Sequence, residues 1–309
     1  MIKTALLFSG QGAQTVGMGK DFSESFAPAR SWFDRANAAL GYDLATICFN
    51  GPDVELVKTE HAQPGIFLVS WVAFQLLREH VPALHFDATA GLSLGEFSAL
   101  TAAGSISFED ALRIVRQRGR FMQEACEATR GAMAAIIGLD EGPTRALCKE
   151  SGVVLANLNC PGQLVISGEA DKIGPACELA KARGAKRALP LPVAGAYHSP
   201  LMTSAQPKLR AELAKVNLST PRVNVISNVS ALPHDGPDSI RELLVQQVTS
   251  SVLWEQSMRF LLSQGFSRFV ELGPGTALSG FMKRIDKSAQ ILNVADVSSL
   301  EATTKVLAA

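Results

Sequence analysis

The chain has 309 residues, enough to bury a large core and more than one compact layer usually holds, so one large unit plus a smaller one is expected. Its 29 basic and 29 acidic residues balance, which argues against nucleic acid or a membrane surface as partner, and no apolar run approaches membrane-spanning length. The five cysteines, Cys48, Cys126, Cys148, Cys160 and Cys177, are odd in number and lack both Cys-x-x-Cys and paired Cys/His spacing. Reduced structural thiols, a cytoplasmic location and no metal site are therefore expected.

Thr4 to Phe8 is a short apolar run that ends in Ser9-Gly10-Gln11-Gly12-Ala13-Gln14, which predicts a buried first strand and a glycine loop rather than a signal peptide. The loop matches neither phosphate-binding glycine pattern. Gly10-Gln11-Gly12 instead fits a backbone that must approach another loop closely. Residues 21–40 read as a helix, Gly51-Pro52 as a break, and Gln63-Pro64 as the opening of a second apolar helix. Phe86 to Ala90 is apolar enough for another buried strand.

That strand runs into Gly91-Leu92-Ser93-Leu94-Gly95, and Glu96 onward reads as a helix start. Strand, Gly-x-Ser-x-Gly and helix form the context of a nucleophile elbow, in which glycines permit a sharp turn that holds a serine out at the top of a sheet. Ser93 is the predicted nucleophile. An oxyanion hole then needs the N–H of Leu94 and a second donor, which the N–H groups of the Gly10-Gln11-Gly12 loop can supply.

Ser107 opens a helix through a capping pattern, and its apolar stripe includes Ala111, Ile114, Phe121, Met122 and Ala125. Arg118 falls on that stripe, whereas Arg113, Arg116 and Arg120 lie opposite. A guanidinium turned toward a core requires an anion. Spacing alone leaves open an internal pair with Glu96 or Glu124, or a bound substrate anion.

From Ala132 to Leu191 the order of predicted elements is βαββαβ, the ferredoxin-like pattern. The expected architecture is α/β, a hydrolase-like parallel-sheet core formed by residues 1–128 and 195–309, with an inserted ferredoxin-like subdomain at 129–194. Val223 to Ser227 and Phe269 to Leu272 read as further strands, with a last helix from Ala277. Beyond the insert, His198 sits in a loop within Tyr197-His198-Ser199-Pro200 and is the best base for Ser93 among the five histidines. His61, His80, His85 and His234 are assigned no role. Asp140 and Asp171 would complete a Ser–Asp–His order but fall inside the insert. A Ser–His dyad oriented by something other than a carboxylate is expected.

Gly10-Gln11-Gly12-Ala13-Gln14, Gln63-Pro64, Gly91-Leu92-Ser93-Leu94-Gly95-Glu96, Gln117-Arg118-Gly119-Arg120-Phe121-Met122-Gln123, Asn159-Cys160-Pro161-Gly162-Gln163, Tyr197-His198-Ser199-Pro200-Leu201-Met202 and Glu271-Leu272-Gly273-Pro274-Gly275 jointly resemble the malonyl-CoA:acyl carrier protein transacylase family, in order and over essentially the whole chain. The resemblance implies a ping-pong transfer of malonyl from malonyl-CoA to the phosphopantetheine thiol of holo-acyl carrier protein, with coenzyme A thioester as substrate and no cofactor. It places the nucleophile on Ser93, the base on His198, the oxyanion donors on Gln11 and Leu94, the malonate-binding arginine on Arg118 and the carbonyl that orients the histidine on Gln247. It also puts Asn159 near the entry of coenzyme A or the carrier arm, and a monomer is expected. Leu92 departs from the pattern, because the family usually has His before the nucleophile. Tyr197 before His198 hints at malonyl over bulkier substrates. A serine esterase would share the elbow and dyad but not Arg118 or the insert, while an acyltransferase of polyketide synthesis or malonate decarboxylation would share nearly everything. Lys181, Arg183, Lys186 and Arg187 form a basic face that an acidic carrier protein could meet.

Overall fold

The first strand is buried from its second residue to its last, as expected of a strand covered on both faces. The computed structural model describes residues 2–308. Five strands, β1 (Lys3–Phe8), β2 (Ala88–Gly91), β7 (Asn224–Ile226), β8 (Phe266–Leu272) and β9 (Gln290–Val294), form a parallel sheet in the order β7-β2-β1-β8-β9. Side chains alternate between its two faces. Leu6 and Phe8 join the core built with the Thr59–His80 and Phe108–Ala128 helices, while Ala5 and Leu7 join Trp254, Met258 and Leu278 on the other side.

A second sheet is antiparallel, in the order β4-β5-β3-β6, from β3 (Gly131–Ile137), β4 (Val154–Cys160), β5 (Gln163–Glu169) and β6 (Arg187–Pro190). The Glu141–Ser151 and Ala170–Ala182 helices pack on it around Ile136, Leu147, Ile166 and Ile173. All of it lies within the stretch read as an insert. Its edge strand touches the rest of the chain, since Leu158 N–H donates to Val252 O at 3.0 Å and Val252 N–H donates to Ala156 O at 2.8 Å.

Several predicted boundaries move. The helix expected over 21–40 is two, Lys20–Ser25 and Ala27–Leu40, because Pro28 has no N–H with which to continue the first. The helix expected to open at Gln63-Pro64 begins at Thr59, and Pro64 lies inside it. A proline this close to the helix start deprives the first turns of one hydrogen bond only. Edge strand β9 and the Val297–Ala308 helix were not anticipated, since Gln290–Val294 is short and only partly buried.

The parallel register aligns Phe8 with Gly91 and Leu272, and Ala90 with Ile226. The loops that follow these strands therefore emerge side by side along the carboxyl edge, where α/β sheets bind ligands. Ser9–Gln11, Leu92–Leu94, Ser227–Asn228 and Gly273 meet there.

Candidate active site

Ser93 stands at the tip of the β2 turn with φ 54°, the strained left-handed backbone of a nucleophile elbow. Both glycines of Gly-x-Ser-x-Gly are steric requirements. A Cβ on Gly91 would lie 1.9 Å from the Gly95 carbonyl, and one on Gly95 would lie 2.3 Å from Phe8 O. The expected close approach of the first loop is present as well, since a Cβ on Gly10 would sit 2.5 Å from Leu92 O. Leu94 directly precedes the Gly95–Ala102 helix, so its N–H belongs to the first turn, where helix donors lack internal partners. Gln11 follows the Gly10 contact and lines the same cleft.

His198 also has positive φ, 56°, and is 4% exposed. Its Nε2 lies 2.9 Å from Ser93 Oγ, and its Nδ1 lies 2.8 Å from the backbone carbonyl of Gln247. A carbonyl oxygen can only accept, so Nδ1 carries the proton and Nε2 is left to accept one from the serine. Burial, reinforced by the Arg118 charge, pushes the imidazole down to about 4, which keeps it neutral. Asp140 precedes the Glu141–Ser151 helix and Asp171 is the second residue of the Ala170–Ala182 helix, and both are exposed.

Arg118 is 1% exposed. Its Nη1 donates to Gln63 Oε1 at 2.5 Å, and its Nη2 donates to Gln247 Oε1 at 2.9 Å and to Ser93 Oγ at 3.0 Å. Among the described residues no carboxylate hydrogen-bonds it, and its Nε is buried without a partner. Glu124 pairs instead with Lys208 and Arg120. Glu96 acts on Arg118 only through space, offsetting part of the burial that lowers the guanidinium to about 10. Arg118 thus remains charged, desolvated and held only by neutral groups.

Three residues to which the sequence assigned no role complete the support. Asn228, two residues past β7, accepts the Ser93 N–H at 2.6 Å and donates to Gly91 O at 2.7 Å, bridging the elbow. The Ser93 N–H is therefore already used. Gln63 holds one arm of Arg118, and Thr59 Oγ1 lies 2.7 Å from the Tyr197 hydroxyl. Their signal was positional, because each stands in or beside a loop at the carboxyl edge or in the first turns of a helix reaching it. His234 also needs correction. Its side chain is fully buried, with Nε2 2.8 Å from Glu96 Oε1.

A cleft of about 890 Å³ opens onto Ser93 and His198. Gln11, Leu92, Met122, Asn159, Tyr197 and Phe281 are among its walls. Asn159, near the end of β4, is buried with its Oδ1 unpartnered among the described residues. Leu92 supplies apolar wall where a histidine would have been polar. Outside the cleft, Lys181 and Arg183 of the basic face are paired with Glu178 and Glu150.

A serine on a strained elbow, a neutral histidine at its oxygen and an uncompensated arginine beside both define an acyl-transferring α/β enzyme. The chain belongs to the acyl transferase domain family, which it matches over residues 5–303. It is 43% identical to the malonyl CoA-acyl carrier protein transacylase of Bacillus subtilis, over 99% of this chain and 98% of that protein. The structure superposes on that of the transacylase of the same name from Coxiella burnetii with a TM-score of 0.95 at 35% identity, covering 99% and 98% of the two chains. It also superposes, with a TM-score of 0.95 at 38% identity and coverage of 98% and 99%, on a malonyl-transacylase bound to its type II polyketide acyl-carrier protein.

Proposed function

We propose that the chain transfers the malonyl group of malonyl-CoA to the phosphopantetheine thiol of holo-acyl carrier protein, through a malonyl ester on Ser93, and so supplies fatty acid synthesis. The observation that carries the substrate assignment is Arg118. A buried guanidinium without a carboxylate partner, 3.0 Å from the nucleophile oxygen, fits an acyl group that brings its own carboxylate.

On this reading the malonyl carboxylate takes the fork of Arg118, and the hydrogen bond from Nη2 to Ser93 Oγ gives way. His198 Nε2 removes the Ser93 hydroxyl proton as Oγ attacks the thioester carbonyl. The N–H groups of Gln11 and Leu94 receive the developing oxyanion. When the tetrahedral intermediate collapses, the C–S bond breaks and the coenzyme A sulfur leaves with the proton from His198. The second half runs in reverse sense. His198 takes the proton of the phosphopantetheine thiol, sulfur attacks the ester, and Ser93 Oγ leaves with that proton. Asn159 would meet the pantetheine arm in the cleft. Each proton has a place in this dyad without a carboxylate, a metal or a further cofactor. One chain supplies every group, so a monomer suffices, and the buried free thiols are compatible with a reducing cytoplasm.

Intact mass spectrometry after incubation with malonyl-CoA tests this. One malonyl adduct is expected on wild type, discharged by holo-acyl carrier protein, and none on Ser93→Ala. An adduct on a cysteine, or one that persists in Ser93→Ala, would overturn the assignment. The polyketide complex among the structural relatives makes that pathway the second reading. Comparing discharge rates for fatty-acid and polyketide carrier proteins separates the two.

A further inference from the structure

Behind the dyad lies a polar pair that the reaction does not touch. Glu96 is the second residue of the Gly95–Ala102 helix, where the unpaired N–H groups of the first turn favour an anion. Glu96 and His234 are both fully buried in their side chains. Oε1 accepts from His234 Nε2 at 2.8 Å. Oε2 accepts from Gln247 Nε2 at 2.7 Å and from the backbone N–H of Asn228 at 3.0 Å. The histidine is delivered by its own loop, which folds back so that His234 N–H donates to Val225 O at 3.0 Å.

We infer that Glu96, clamped by His234, is a positioning residue that sets the orientation of the whole catalytic group from behind. The inference rests on the transfer reading above and deepens it.

The reason lies in the two faces of the Gln247 amide. Its Oε1 faces Arg118 while its Nε2 donates to Glu96 and, at 3.0 Å, to Ser93 O. An amide can turn over, and the turned form would present N–H to a guanidinium. A carboxylate accepts only, so Glu96 forbids that form. The Gln247 backbone meanwhile holds His198 Nδ1. The second arm runs through Asn228, whose side chain ties the two ends of the Ser93 turn. One carboxylate therefore anchors the arginine, the base and the nucleophile, and the donor from His234 fixes that carboxylate.

Two variants of similar polarity separate positioning from mere packing. His234→Gln places an amide nitrogen where Nε2 stands, whereas His234→Asn falls one methylene short of Glu96. Three quantities are read for each: kcat and KM for malonyl transfer per titrated active site, the rate at which a neutral fluorophosphonate labels Ser93, and the melting temperature. The glutamine variant is expected to retain wild-type rates. The asparagine variant is expected to lose about tenfold to a hundredfold in kcat and to label more slowly while still folded at the assay temperature, its melting temperature lowered because a buried polar contact is broken. Equal rates in both variants, or losses in both that follow the melting temperature, overturn the inference. If wild type forms no malonyl ester, the transfer reading fails by itself, and phosphonate labelling still decides the positioning role.

Discussion

His198 and Gln247 meet through a ring nitrogen and a backbone carbonyl, 2.8 Å apart, where a serine hydrolase would place a carboxylate. The carbonyl fixes the tautomer as a carboxylate would, but it brings no negative charge to stabilise an imidazolium. The base is thus oriented while its basicity stays low, because burial and the Arg118 charge outweigh the upward pull of the carbonyl.

Removing the acids that chain order suggests should therefore do little. Asp140→Asn and Asp171→Asn are expected to keep malonyl transfer within a few-fold of wild type. His198→Ala should lose about a hundredfold to ten-thousandfold, the usual contribution of a positioned general base. Steady-state kinetics on the three folded variants checks this. A collapse in either aspartate variant would restore a conventional triad.

The low basicity of His198 has a sign that can be measured. Its ordinary value of 6.5 falls to about 4, first through burial and second through the Arg118 charge. Labelling of Ser93 by a neutral fluorophosphonate should then keep its rate as pH falls past 6.5 and decline only near the folded value. Arg118→Ala should move that acid limb upward. Between the two values the unfolded chain binds the extra proton and the folded chain does not, so this histidine costs stability as pH falls from 6.5 toward 4. An acid limb at the ordinary histidine value in wild type would contradict the geometry.

The glycine loop offers a steric test. Gly10→Ala would drive a methyl to 2.5 Å from Leu92 O, so one of the two loops must yield. The Gln11 N–H would then leave its proposed oxyanion position while the fold around the sheet stays in place. The expected outcome is a loss of about a hundredfold or more in kcat, the scale of one oxyanion donor, with a smaller change in KM. Stopped-flow acylation with malonyl-CoA reads it directly.

What the sequence made legible follows from locality. The Ser93 elbow, the capped helix after Ser107 and the βαββαβ order are each written in fewer than about seventy consecutive residues. Arg118 was legible because one charged residue on an apolar stripe contradicts its neighbours. The roles of Gln63, Asn228 and His234 were not, since an amide or imidazole in a loop or helix start has no periodicity to violate. They became visible only when the parallel sheet brought four loops to one edge. Gln247 was placed by resemblance alone, and the role of its side chain between Arg118 and Glu96 needed three-dimensional contacts.

On the proposed transfer reading Arg118 selects the substrate, and its surroundings make the test sharp. Gln63 Oε1, Gln247 Oε1 and Ser93 Oγ hold it, with no ion pair among the described residues to lose when it is removed. A malonyl carboxylate offers the fork two parallel hydrogen bonds that an acetyl group lacks. Truncating one partner of a desolvated charge pair costs roughly 2–5 kcal/mol. At about 1.36 kcal/mol per decade, the middle of that range is a few hundredfold. Arg118→Ala should lose malonyl transfer by about that factor and leave acetyl transfer unchanged or faster, because the burial of a charge that Glu96 offsets only in part is relieved. Arg118→Lys keeps a cation but not the fork, and should fall between wild type and alanine for malonyl alone. The comparison to make is kcat/KM for malonyl-CoA and acetyl-CoA on all three proteins, with melting temperatures alongside. A structural guanidinium would lower both activities together and destabilise the fold. Selectivity requires the two substrates to part, malonyl falling while acetyl holds.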